Sequence, residues 1–167
     1  MSVCTCKVIE TYGLKPQIKY PNDVLIDGKK VCGILCESVL KKNIIQGVVL
    51  GIGVNLNMPL SLVEKIEKPA TSLNLLTDHS IDRQEFLEKL LKEFFSKYQD
   101  VIERGFCSFE QEYLKRNNFL GKTVFIQQTD NSQRQEYFAV KMDEKGNLVV
   151  KNSDDEEKII FSGDLSI

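Results

Sequence analysis

The chain has 167 residues, a length that suits one ordinary domain or a larger domain with a small companion. With 42% hydrophobic residues it can bury a proper core, so disorder is not the default reading. Twenty-two basic against 24 acidic residues leave a formal charge of −2, without the basic excess of a general nucleic-acid binder. No apolar run approaches the ~18–20 residues needed to span a bilayer, and Lys7 and Glu10 interrupt the N-terminal region where a signal peptide would need an apolar stretch.

Five cysteines, Cys4, Cys6, Cys32, Cys36 and Cys107, form no regular framework. An odd number at irregular spacing points to a reducing cytoplasmic setting. With one histidine, His79, and no paired Cys-x-x-Cys, a structural zinc is not expected. Cys32 and Cys36 lie in a strand-like run, where cysteine serves as a small hydrophobe.

Val3, Val8, Ile9 and Tyr12 precede Gly13 as in a helix closed by a glycine, and Pro16 prevents its continuation. Strands follow at Ile18 to Tyr20 and Val24 to Ile26, separated by the turn Pro21-Asn22-Asp23. Asp27-Gly28 predicts a two-residue hairpin into a third strand, Val31 to Leu40. Lys41-Lys42-Asn43 turns the chain into a fourth strand, Ile44 to Asn55. Leu60 to Lys68 predicts a short helix ended by Pro69.

A long helix is predicted from about Asp82 to Arg104, opened by the capping pair Asp82 and Glu85. Phe86, Leu87, Leu90, Leu91, Phe94, Phe95, Tyr98, Val101 and Ile102 share one face, predicted to be buried. Gly105 stops it, and Ser108-x-x-Gln111 opens a shorter helix. After Leu120 the period falls to two, at Val124/Ile126, Tyr137/Ala139, Leu148 to Val150 and Ile159 to Phe161. Turns are predicted at Asp130-Asn131-Ser132, Glu144 to Asn147 and Asn152 to Asp154. Such spacing predicts a small barrel or sandwich, with a domain boundary near residue 118. Asp154 to Glu157 reads as a solvated hairpin loop.

The polar residues between Lys19 and Asn55 carry the functional signal. Asn22 and Asn55 stand at strand edges, where a carboxamide can meet both a donor and an acceptor on an adenine edge. Each can equally be structural, Asn22 shaping its turn and Asn55 capping a strand. Gly51 and Gly53 frame a place of close backbone or ligand approach. Lys30 can reach over the sheet to a carboxylate or phosphate, or remain a solvated hairpin lysine. Asp23 can bind magnesium, hold Lys19, or make an Asx turn. The residues alone reach no further than a nucleotide pocket on an α/β sheet.

Lys19-Tyr20-Pro21-Asn22-Asp23, Lys30-x-x-Gly33-Ile34-Leu35-x-Glu37 and Gly51-x-Gly53-x-Asn55-x-Asn57 together resemble the central motifs of biotin protein ligases. Ala70-Thr71-Ser72-Leu73 and the closing Phe161-Ser162-Gly163-Asp164 resemble that family too, so the likeness extends over the whole chain. It implies an α/β (α+β) fold of the biotin/lipoyl ligase type with a partial mixed or antiparallel sheet. Residues 1–117 would be the C-terminal part of the catalytic domain, and 118–167 a small SH3-like β-barrel.

The implied reaction joins biotin to ATP, with Mg2+, as biotinyl-5′-AMP. The biotinyl group then passes to a lysine of the biotin carboxyl carrier protein of acetyl-CoA carboxylase. Carried over by motif, Lys30 and Lys19 are the catalytic residues, Lys30 on the carboxylate and α-phosphate and Lys19 supporting phosphate. Asn22, Asn55 and Asp23 face ATP, with Asp23 also the metal ligand, and Gly33 and Leu35 form part of the biotin slot. Tyr20 stands where the family often has tryptophan.

The upstream half of the family's catalytic domain has no counterpart here, neither its Ser/Thr-Thr-Asn segment nor its biotin-clamping Gly/Arg-rich loop. Arg83, Arg104, Arg116 and Arg134 all lie away from any glycine-rich loop. The expectation is a chain with an unpaired sheet edge and an exposed apolar face. Such a chain is expected not to make biotinyl-AMP alone at a useful rate and to bind no DNA or membrane, with a homodimer or pairing with a missing N-terminal fragment as its open partners. The alternatives are a non-catalytic remnant or subunit of a split ligase, and a lipoate ligase.

Overall fold

A computed structural model describes residues 1–42, 44–128 and 133–167. The chain is mixed α and β with two antiparallel sheets. The first runs β1 (Gln17–Lys19), β2 (Asp23–Ile26), β3 (Lys29–Lys41) and β4 (Ile44–Val54) in that order. Asp27 (φ 49°) and Gly28 (φ 75°) make the predicted hairpin turn between β2 and β3, both in the left-handed region that such a turn requires. Helix α1 (Ser2–Glu10) buries Val3, Cys4, Cys6, Val8 and Ile9 in the shared core with Ile18, Val24 and Cys32. Asn43, in the predicted β3–β4 turn, lies outside the described residues, as does the predicted turn Asp130-Asn131-Ser132.

The two edges of this sheet differ. At β1, Ile18 N donates to Arg116 O (2.7 Å) and Asn118 N to Ile18 O (3.3 Å), so the 116–118 segment covers that edge. At β4 no further strand pairs among the described residues, and Ile44 to Val49 are exposed on both faces. This is the open edge and bare apolar face expected above.

Helix α2 (Leu60–Val63) is shorter than the Leu60 to Lys68 prediction, because it buries no residue and a short helix needs tertiary packing to persist. An unpredicted helix, α3 (Leu73–Thr77), follows it and buries Leu73. Helix α4 (Arg83–Arg104) starts at Asp82, whose carboxylate accepts from Gln84 N and Glu85 N (2.8 and 2.9 Å). Its predicted buried face is largely bare: only Phe86 and Leu90 are buried, while Phe95 is 65% and Ile102 64% exposed. The periodicity is real, but the main elements that pack against this helix are α1 and the 3₁₀ turn at its end, which leave most of the stripe bare. Ser108 is not a cap; its hydroxyl donates to Gly105 O within the 3₁₀ turn Gly105–Ser108, and α5 (Glu110–Leu114) begins without a side-chain cap.

The second sheet has the order β8 (Glu157–Ile160), β7 (Leu148–Lys151), β6 (Gln135–Met142), β5 (Thr123–Gln127) and β9 (Asp164–Ser166). It is not the closed barrel expected, since β8 and β9 do not pair among the described residues. It must nevertheless curl. Four peptide links between Ile160 and Asp164 reach at most about 14 Å, whereas the edges of a flat five-stranded sheet lie about 19 Å apart. Asp154 to Glu157 lie exposed in the β7–β8 hairpin, as expected.

One hydrophobic core runs across residue 118. Phe119 is fully buried, with its ring edge-on to Tyr20 and Tyr113, and the Tyr20 hydroxyl donates to Ile160 O at 2.8 Å. Arg116, also buried, donates to both carboxylate oxygens of Glu10 at 2.7 and 2.8 Å and so ties α1 to the end of α5.

All five cysteines are free. Burial pushes the Cys6 and Cys32 thiols up to about 12 and raises that of Cys4. Since the thiolate is the reactive form, these three stay protonated and inert at pH 8. A disulfide reagent such as DTNB is expected to label the exposed Cys36 and Cys107 rapidly at that pH. Cys4, Cys6 and Cys32 should react only when denaturant is added. Truncating Phe119 to Ala should lower stability by about 3–5 kcal/mol, read from a urea titration.

Candidate functional site

The site gathers where β2, β3 and β4 lie side by side. Asp23 on β2 is opposite Gly33 on β3, and Gly33 is opposite Gly53 on β4. Lys30 enters β3 just after the hairpin and folds back over Gly33 to place its ammonium 2.6 Å from Asp23 Oδ1. Gly33 permits this: a Cβ there would come within 3.0 Å of Lys30 Cε and Nζ. Asp23 therefore holds Lys30, not Lys19.

Backbone bonds fix the opposite wall. Lys30 N donates to Pro69 O and Thr71 N to Lys30 O, both at 2.9 Å. Asn55 N donates to Val31 O and Leu73 N to Asn55 O, again at 2.9 Å. Side chains repeat the pattern: Asn55 Nδ2 donates to Thr71 O (2.9 Å), and the Ser72 hydroxyl donates to Asn55 O (3.0 Å) while accepting from Met58 N (2.9 Å). Residues 69–73 are thus laced along the ends of β3 and β4.

Two open cavities meet at Lys30. The larger, of about 560 Å³, has Lys30, Gly33, Gly53 and Asn55 on one side and Ile66, Lys68 and Ala70 on the other. The smaller, of about 300 Å³, is formed by Asn22, Asp23, Lys30, Gly33, Leu35 and Gly51. Lys30, Gly33 and Gly53 belong to both and form the saddle between them.

Six of the seven predicted residues therefore line these two cavities: Lys30 at their junction, and Asn22, Asp23, Gly33, Leu35 and Asn55 around it. Asn22 and Asn55 do so from different cavities, and each has one amide hydrogen committed to backbone: Asn22 to Ile34 O, Asn55 to Thr71 O. Each retains its Oδ1 and a second N–H for a ligand. Lys19 is elsewhere. Its ammonium lies 2.9 Å from Asp164 Oδ1, and its side chain borders a third cavity with Leu25, Pro69 and Ser166.

Sequence reasoning missed the wall residues Ile66 and Lys68 and the part played by Asp164. No periodicity marks a loop wall, and Asp164 was visible only as part of its Phe-Ser-Gly-Asp motif. Asn57 has a structural role, receiving Ile81 N and donating to Ile81 O to set the approach to α4. Among the described residues no three His, Cys, Asp or Glu side chains cluster as metal ligands.

Residues 1–95 match the lipoyl protein ligase A/B catalytic domain. The bifunctional ligase/repressor BirA of Bacillus subtilis is 37% identical over 98 residues, which cover 58% of this chain and 30% of that protein. The biotin–[acetyl-CoA-carboxylase] ligase of Paracoccus denitrificans is 36% identical over 137 residues, 80% of this chain and 56% of the relative. The chain thus spans less than two thirds of either protein. A solved structure of the biotin protein ligase from Aquifex aeolicus in complex with biotin and ATP superposes with a TM-score of 0.78 at 28% identity. It covers 99% of this chain and 67% of that one.

Replacing Gly33 by Ala tests the saddle. The added methyl group should displace the Lys30 side chain by a few tenths of an ångström and lengthen its contact with Asp23, visible in a crystal structure of the variant. Because the pair is open to solvent, the stability cost in urea should stay within about 1 kcal/mol.

Proposed function

The chain belongs to the lipoyl protein ligase A/B catalytic domain family, and from that premise we propose that it is the adenylate-forming part of a biotin protein ligase, residues 1–117, joined to a curled SH3-like unit, residues 118–167. The observation that carries this reading is Lys30, held by Asp23 at the junction of two cavities. An acid activated by ATP needs its carboxylate and the α-phosphate brought together where a fixed cation can take up developing charge.

The nucleotide occupies the larger cavity, with Asn55 and, across the saddle, Asn22 offering amide groups to it. Biotin lies toward Leu35 and Gly33. A biotin carboxylate oxygen attacks the α-phosphorus, a new P–O bond forms, and pyrophosphate leaves. The neutral amine of the carrier lysine then attacks the acyl carbon and AMP departs. Lys30 stabilises charge on the phosphoryl oxygens in the first step and on the departing AMP in the second. Magnesium enters with ATP as the substrate complex; Asp23, one of whose oxygens is held by Lys30, is its ligand by motif, while Glu67 is the carboxylate that lines the larger cavity itself. Lys19, turned onto Asp164, supports the site through the cavity wall.

The acceptor in this reading is a biotin carboxyl carrier protein. The free cysteines suit a cytoplasmic setting, and no helix among the described residues is long and apolar enough to cross a membrane. The bare edge of β4 and the apolar side of α4 are surfaces that further polypeptide covers in the working enzyme, supplied in line, by a separate fragment, or by a second copy.

Pyrophosphate release and streptavidin detection of labelled carrier test the proposal with biotin and MgATP. The 167-residue chain alone should show negligible turnover. Adding a fragment that supplies the part of the Aquifex enzyme without counterpart here should restore it. In the restored system Lys30→Met should lose about 100-fold or more in rate. Robust turnover by the isolated chain refutes the need for a covering polypeptide, and preference for lipoate over biotin refutes the substrate.

A further inference from the structure

The wall of the larger cavity is fastened at two levels. Near the sheet, the backbone bonds of Lys30 to Pro69 and Thr71 hold it. Farther out, Lys68 reaches away from the cavity to Asp164 Oδ2 at 2.9 Å, while the other oxygen of the same carboxylate receives Lys19 at 2.9 Å. Lys68 is on the cavity wall, and Lys19 ends β1 just before the turn that carries Asn22 and leads into Asp23. Asp164 opens β9 of the second sheet. One carboxylate from the C-terminal unit therefore grips both flanks of the site.

We propose that Asp164 is a positioning residue: by pinning Lys19 and Lys68 together, it makes the C-terminal sheet hold the wall that faces Lys30. It touches neither cavity and acts only through the two lysines. For what the cavity receives, the inference rests on the ligase reading. The wall itself is a matter of geometry.

Three observations support the assignment. The Tyr20 hydroxyl donates to Ile160 O at the end of β8, so two successive residues of β1 and its exit, Lys19 and Tyr20, are fixed by the same sheet. Both Asp164 oxygens are engaged by cations from segments far apart in sequence, a geometry unlike that of a solitary surface pair. Partial burial pushes the Asp164 carboxyl up, yet hydrogen bonds from Lys19 and Lys68 and their charges outweigh it, leaving the group below the usual carboxylate range. The carboxylate form is thus the one the site is built around.

Hydrogen exchange at the Lys30 and Thr71 amides reads the wall directly, because those amides form its inner fastening. In Asp164→Asn both should exchange about three- to tenfold faster, with amides in the middle of α4 unchanged. Asp164→Glu keeps the charge and should restore protection. Lys68→Met removes one arm from its exposed end, so folding is not at risk, and it should loosen the same two amides even if Asp164→Asn does not fold. Wild-type exchange at Lys30 and Thr71 in the folded variants would overturn the proposal, as would equal loosening throughout the chain. A parallel titration with MgATP separates the two readings. If the restored wild-type system binds no nucleotide, the ligase reading falls, and the exchange rates still decide the role of Asp164.

Discussion

The run of hydrogen bonds between residues 69–73 and the ends of β3 and β4 is the constraint on which the site depends. Backbone amides and carbonyls must find partners wherever water is limited. Here Lys30, Val31, Asn55, Pro69, Thr71 and Leu73 satisfy one another. The consequence is a rigid saddle. Lys30 cannot drift along the sheet, because its own N–H and C=O are both held. Its side chain is free to lie over Gly33 because that position has no Cβ. The role proposed for Lys30 calls for this fixity, since preorganised charge does not have to reorganise during a reaction.

The lacing in turn rests on how the two sheets meet. Phe119, Tyr20 and Tyr113 make an aromatic cluster at the junction, and Arg116 is anchored by Glu10 in the first helix. The segment between Arg116 and Asn118 extends β1, so the chain leaving the helical layer becomes part of the first sheet before it starts the second. Separation of the two units would expose Phe119 and leave the Tyr20 hydroxyl without its carbonyl partner.

Beyond this centre, the apolar surface is not covered. The outer half of the β3–β4 hairpin and the far side of α4 carry large hydrophobic side chains in the open: Leu40, Ile44, Ile45 and Val48 on one, Phe95, Tyr98 and Ile102 on the other. Patches of this kind mark surfaces that meet another polypeptide.

The sequence by itself determined the local pieces: the Asp27-Gly28 hairpin, the Asp82 cap, the helical period of α4 and the alternation of the C-terminal strands. Each follows from steric and hydrogen-bonding preferences acting over a few neighbouring residues. It also pointed to part of the candidate site, because Asn22, Asp23, Lys30 and Asn55 stand at strand ends and turns that a short-range pattern reveals, whereas Gly33 and Leu35, inside β3, came only from the resemblance. Only the tertiary structure decided which partners these residues have. That Asp23 takes Lys30 while Asp164 takes Lys19, and that the α4 stripe remains largely bare, depends on the packing of segments as many as 145 residues apart. Periodicity shows that a face is apolar; whether anything covers that face is settled by the elements present to pack against it.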